Sequence, residues 1–108
     1  MTEAAAETVF ILQVEVGRAA EDGLPDGADG AVLICYAAGR DEKHAVDETV
    51  AVLRQAGLAP LEVESYGTAD EAAQGGLDFG AEDRALMDRA QAENAVIVAN
   101  VTTLTPED

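Results

Sequence analysis

The sequence is poor in the side chains on which many enzymes and nucleic-acid-binding domains depend. Its 108 residues include one cysteine, one histidine and no tryptophan, and aromatic residues make up 4% of the chain. A single cysteine cannot form an internal disulfide, and together with one histidine it cannot supply the four ligands of a Cys/His zinc site. Bases of a nucleic acid would also find no run of aromatic side chains on which to stack.

Long hydrophobic runs are missing as well. The longest, AVLICYAA at residues 31–38, has the length of a strand and falls short of the roughly 18 residues that cross a bilayer. The opening MTEAAAET has no basic segment followed by an apolar one, so no secretory signal is predicted. We therefore expect a cytoplasmic, single globular domain over residues 1–108, with frayed ends at about 1–6 and 103–108.

Negative charge is what the sequence has in excess. Its 22 acidic residues outnumber six basic ones, for a formal net charge of −16. Such a surface repels phosphates, which disfavours direct binding to nucleic acid, and attracts cationic protein surfaces. Two interpretations stay open: an acidic surface that covers a basic partner, or a composition adapted to high salt or inherited from a GC-rich genome.

Hydrophobic periodicity and capping residues predict four strands and two main helices. Alternating or continuous apolar residues indicate strands at 8–16, 31–38, 61–67 and 95–101. Asp41 is a suitable N-cap for a helix that Gly57 ends, and Asn94 is a suitable stop for a helix over 81–94. Between these helices, Thr68 and Glu71 fit a capping box for a short helical turn.

The resulting order, β-β-α-β-α-β, predicts an α/β (α+β) two-layer sandwich related to the ferredoxin-like fold. Residues 31–66 form a β-α-β unit, for which a right-handed parallel crossover is the usual geometry. We expect a four-stranded mixed sheet with both main helices on one face. The other face would then need a cover, and a homodimer formed through it would supply one.

The stretch ICYAAGRDEKH, residues 34–44, gathers the only cysteine, the only histidine and the only lysine. A Cys35–His44 nucleophile and base would need the two side chains within about 3 Å of each other. The predicted strand and helix keep them well apart, and the helix stripe turns His44 towards water. We therefore predict a buried core cysteine and an exposed histidine.

One part of this stretch does suggest a ligand site. The carboxyl ends of neighbouring strands in open α/β sheets bind ligands, and the amides that begin a helix favour anions. These two features predict a site that combines the end of the second strand with the end of the third: Gly39, Arg40 and Glu42 with Tyr66, Gly67 and Thr68.

No Walker, G-x-G-x-x-G, G-x-S-x-G or H-E-x-x-H pattern occurs, and we expect no cofactor, metal or catalytic residue. The leading hypothesis is a small acidic non-enzymatic module, expected to be homodimeric, which regulates or inhibits a protein partner with a basic surface. The alternative is a regulatory or sensor domain that binds a small molecule near Arg40, Glu42 and Tyr66. Neither hypothesis involves direct binding to nucleic acid or to a membrane.

Overall fold

The computed structural model describes residues 8–20 and 22–105. Its strands are β1 (Thr8–Gly17), β2 (Gly30–Gly39), β3 (Ala59–Thr68) and β4 (Val96–Leu104), and its helices are α1 (Glu42–Gln55), α2 (Ala69–Gln74) and α3 (Ala81–Glu93). The predicted order of elements is confirmed. β4 reaches two residues into the stretch expected to be frayed, and residues 1–7 and 106–108 lie outside the described part.

Local capping chemistry sets the helix ends where the sequence predicts them. The Asp41 carboxylate accepts a hydrogen bond from the backbone N–H of His44 at 2.8 Å. Thr68 and Glu71 form the reciprocal capping box of α2, and Asn94 ends α3 with a φ of 51°. In the described residues, no helix is long and apolar enough to cross a membrane.

The strands form one sheet in the order β3-β1-β2-β4, and every neighbouring pair is antiparallel. The prediction of a mixed sheet is therefore wrong. β2 and β3 do run in the same direction, as the β-α-β unit implies, but β1 lies between them and hydrogen-bonds to both. The first hairpin thus places the first strand in the middle of the sheet.

The helices cover both faces of the sheet. α1 packs on the first face, which we define by the alternate residues Phe10, Leu12, Val14 and Val16 of β1 and Ala31, Leu33, Cys35 and Ala37 of β2. α2 and α3 pack on the second face, around Ile11 and Tyr36. The sandwich of helices on a four-stranded sheet is confirmed, whereas the prediction that both main helices share a face is not. Because β2 is apolar on both sides, each face requires its own cover.

Leu61 of β3 is 66% exposed, because the pairing of β1 with β3 shifts register between Glu15 and Val16. In the acidic loop that follows β1, Arg18 makes several hydrogen bonds. The Arg18 guanidinium donates to the Asp22 carboxylate at 3.0 Å and to the Ala28 carbonyl at 2.6 Å.

Candidate functional site

The predicted strand-end residues do lie at the same end of the sheet. Gly39 pairs with Thr8, and Thr68 pairs with Phe10, so both strand ends flank the beginning of β1. Glu42, in the first turn of α1, bridges to the end of β3 by accepting a 2.5 Å hydrogen bond from the Ser65 hydroxyl.

Most polar groups at this end of the sheet have structural partners of their own. The backbone at Gly39 lies so close to α1 that an added Cβ would sit 2.9 Å from the backbone nitrogen of Ala45. Gly67 has a φ of +82° and packs against the Glu71 side chain, and Thr68 caps α2. Arg40 is exposed, and its backbone N–H donates to His44 Nδ1 at 3.3 Å. Tyr66 turns away from these residues towards the second face.

Cys35 and His44 are separated, as predicted. Cys35 is fully buried on the first face, and burial raises the pKa of its thiol to about 12, so the thiolate that a nucleophile needs is suppressed. His44 is half-buried at the start of α1, contrary to the expected full exposure, because its ring folds back to accept from the Arg40 amide.

A cavity of about 270 Å³ opens on the second face, between the sheet and the segment that joins α2 to α3. We call it the tyrosine pocket, because both tyrosines of the chain line it. Its walls combine apolar and aromatic side chains with a few polar ones: Ile11, Gln13, Ile34, Tyr36, Tyr66, Leu77, Asp78, Phe79, Asp83, Ala99 and Asn100. Apolar walls with a few convergent polar groups are typical of ligand sites.

Tyr36 forms the rigid inner wall of the tyrosine pocket. Its side chain is 3% exposed and its hydroxyl donates to Asp83 Oδ1 at 3.0 Å. Burial, followed by the Asp83 carboxylate, raises the pKa of Tyr36 to about 12, so the phenol stays protonated. The other oxygen of Asp83 accepts from the Gly80 amide at 3.2 Å, and Phe79 meets the Tyr36 ring edge-on at a 6.4 Å centroid distance. These contacts hold the joining segment over the sheet.

Tyr66 forms the outer wall with Gln13. Its hydroxyl donates to Gln13 Oε1 at 3.0 Å, across the β1–β3 pair. This bond occupies the amide oxygen of Gln13. Asn100 lines the pocket from β4, opposite Ile34 in register. The open side of the pocket is thus bordered by amide and phenol groups on three different strands.

Three glutamates continue the second face beyond Gln13. Glu15 pairs directly with Glu62 across β1 and β3, and Glu64 pairs with Gln13. We call Glu15, Glu62 and Glu64 the acidic strip. A depression of about 340 Å³ lies along it. Like charges that face each other across two strands destabilise the pairing of the strands. The Glu15–Glu62 pair therefore lowers the stability of the sheet.

The walls of the tyrosine pocket and of the depression carry no basic side chain. Asp78 and Asp83 add two carboxylates to the pocket wall. An aromatic pocket with carboxylates at its border suits an organic cation, since ring faces and carboxylates both attract positive charge. Among the described residues no cluster of three or more His, Cys, Asp and Glu side chains could hold a metal ion.

The sequence predicted one residue of this site, Tyr66, and missed Gln13, Tyr36, Asp83 and Asn100. One signal could have found part of it. Ile34 and Tyr36 alternate on β2 with the core residues of the first face, so a cover for them had to exist. That α3 supplies this cover, and brings Asp83 to the Tyr36 hydroxyl 47 residues away in the chain, depends on tertiary packing.

Comparison with protein-family models gives a match to a domain of unknown function (DUF8846) over residues 9–105. Searches of curated proteins and of solved structures found no significant match. The match begins in β1 and ends just after β4, so it includes all seven helices and strands. The chain belongs to the DUF8846 family.

Proposed function

We propose that this protein is a non-enzymatic binding module whose second face recognises a basic segment of a partner protein. The observation that carries the proposal is the continuity of the acidic strip with the tyrosine pocket, with no basic side chain along either. A flexible basic segment could lie along the strip and insert one arginine or lysine side chain into the pocket. The net charge of −16 would speed the encounter with such a partner.

Each part of the surface has its own task in this proposal. The carboxylates of the strip attract the segment from a distance and are screened by salt. The aromatic walls give specificity, because a guanidinium stacks on tyrosine and phenylalanine rings better than a compact ammonium does. Regulation or inhibition would follow from covering the basic surface of the partner.

The test uses a nine-residue oligoarginine peptide as the probe and isothermal titration calorimetry as the readout. We expect the Glu62→Gln/Glu64→Gln variant to bind about tenfold more weakly at low salt, because it removes two carboxylates from the strip. The matched control is Asp47→Asn/Glu48→Gln, which changes the net charge equally on α1, on the opposite side of the sheet. Equal losses in the two variants would mean non-specific attraction and would contradict the proposal.

Nuclear magnetic resonance adds a positional readout on the native chain. Titration with the same peptide should shift the side-chain amide signals of Gln13 and Asn100 before those of the α1 surface. A nine-residue oligolysine peptide should bind more weakly than oligoarginine if the aromatic walls contribute. Identical affinities for the two peptides would mean that the pocket does not distinguish arginine from lysine. The acidic strip alone would then be the binding surface, and the proposed role of the pocket would be wrong.

A second candidate function, a sensor domain for a free small molecule, is favoured by the apolar and aromatic walls of the tyrosine pocket and the few polar groups among them. Its site would lie around Tyr66 but on the opposite side of β3 from Arg40 and Glu42. The ligand would be a small organic cation such as an amine or a guanidine. It should raise the melting temperature of the protein in proportion to the logarithm of its concentration once the site is saturated. The basic-segment proposal requires no such response to the free compound.

A further inference from the structure

The two edges of the sheet are protected very differently. At one edge, β3 carries Pro60 and two outward glutamates, Glu62 and Glu64, and its pairing with β1 is irregular at two points. Proline, charge and irregular pairing are the usual devices that prevent a sheet edge from pairing with another strand. The β3 edge is therefore blocked.

At the other edge, β4 has neither proline nor charge, although its pairing with β2 is also irregular at one point, between Ile34 and Cys35. Its sequence VIVANVTTL contains no charged residue and no proline, in a chain of which 26% is charged. Residues 94–105 are uncharged throughout. Within the described chain β4 pairs with β2 alone, so the backbone groups along its outer side are available to another strand.

Apolar side chains accompany this open edge. Val98 is 40% exposed and Val101 is 52% exposed; both lie on the first face, because they pair with Cys35 and Leu33 of β2. Val52 of α1, on the same side of the sheet, is also partly exposed. Exposed apolar groups that cluster beside an unpaired strand mark a contact surface.

We propose that β4 pairs with β4 of a second copy of this chain, in antiparallel orientation, to form a continuous eight-stranded sheet. An antiparallel edge is self-complementary about a two-fold axis, so the same surface serves both copies. A two-fold axis near the middle of β4 would bring Val98 of each copy close to Val101 of the other. The valines of the two copies would then cover each other.

Charge limits where a second copy can approach. Two chains that each carry −16 repel each other, and they can meet closely only where the surface is uncharged. β4 and its flanks provide such a surface. The inference does not rest on the proposed function, because the acidic strip lies on β1 and β3 and the tyrosine pocket takes only Ala99 and Asn100 from β4, on the second face. It replaces the face-to-face dimer predicted from the sequence.

The first test is sedimentation equilibrium over a range of protein and salt concentrations. We expect a species of twice the 11.2 kDa chain mass that becomes more populated as salt screens the repulsion. Binding to a basic peptide should show the opposite salt dependence, so the two proposals fail separately. A chain that remains monomeric at millimolar concentration in high salt would overturn the inference.

Variants locate the interface. We expect Val98→Lys/Val101→Lys to weaken dimerisation about tenfold or more, since it opposes like charges across the two-fold axis. Leu61→Lys is the matched control, because Leu61 is also an exposed apolar residue on an edge strand, at the β3 edge, and its dimerisation should equal that of the native chain. Loss of dimerisation in the control alone would place the contact at β3 and refute the inference.

Hydrogen exchange on the native protein guards against a variant that fails to fold. Alternate amides of β4 already bond to β2, while those between them point outwards. Dimerisation should slow exchange at the outward amides as protein concentration rises, with no change along β3. If β4 exchange is independent of concentration while a dimer forms, another surface makes the dimer and the inference is wrong.

Discussion

On the first face of the sheet, Leu12, Leu33 and Cys35 lie under α1, and the buried Thr49 hydroxyl bonds to a carbonyl of its own helix. On the second face, by contrast, each tyrosine hydroxyl bonds to a partner distant in the chain, and the cover of α2 and α3 stops short of Gln13 and Glu15. The first face is built for stability. The second face has a pocket and exposed carboxylates in place of a continuous apolar cover.

The largest effect on stability should come from truncating a core side chain of the first face. Leu12 is fully buried, so Leu12→Ala should lower the free energy of unfolding by about 3 kcal/mol. Ile34 on the second face is only half-buried and lines the pocket, and Ile34→Ala should cost about 1 kcal/mol. Urea denaturation of the two variants measures the difference. Equal losses would mean that the two faces contribute alike.

A smaller effect separates the two tyrosines of the second face. The buried Tyr36 hydroxyl donates to a carboxylate, so Tyr36→Phe should cost about 1.5 kcal/mol of stability. The Tyr66 hydroxyl bonds to a neutral amide in a partly exposed position, so Tyr66→Phe should cost about 0.5 kcal/mol. Thermal and urea unfolding of both variants test the order. The reverse order would mean that the outer wall, rather than the inner one, holds the pocket together.

The smallest effect concerns the loop at 18–29, whose Leu24 packs against the core of the first face. Backbone N–H groups of Ala19 and Leu24, with a further contribution from Arg18, lower the pKa of Asp22 from 3.8 to about 2. A carboxyl group whose pKa is lowered by folding stabilises the folded chain above its ordinary pKa, and that contribution is lost as the pH falls from about 4 towards 2.

Asp22→Asn should therefore make unfolding less sensitive to pH in this window, with a lower stability at neutral pH. Urea titrations at several pH values between 2 and 6 give the measurement. Asp26→Asn, an exposed substitution in the same loop, is the control and should leave the pH dependence unchanged. If the stability of the native chain did not decrease as the pH drops from 4 towards 2, the role of Asp22 would be contradicted.

Local chemistry made much of this protein predictable from its sequence. The strands followed from apolar periodicity, and the ends of the helices followed from Asp41, Thr68 and Asn94, because a cap bonds to backbone groups within a few residues of itself. The burial of Cys35 followed from the apolar alternation of β2. Glu42 and Thr68 lie at the same end of the sheet, because β2 and β3 run in the same direction on either side of β1.

Tertiary structure alone decided which elements meet. β1 inserts between β2 and β3, and α3 crosses to the face opposite α1; neither choice is encoded within any single element, because several arrangements bury the same apolar residues. The tyrosine pocket depends on both choices, since it joins Gln13 of β1, Tyr66 of β3 and Asp83 of α3. The sequence by itself determined the elements and the charge, and long-range packing determined where that charge is left exposed beside a pocket and which edge of the sheet stays open.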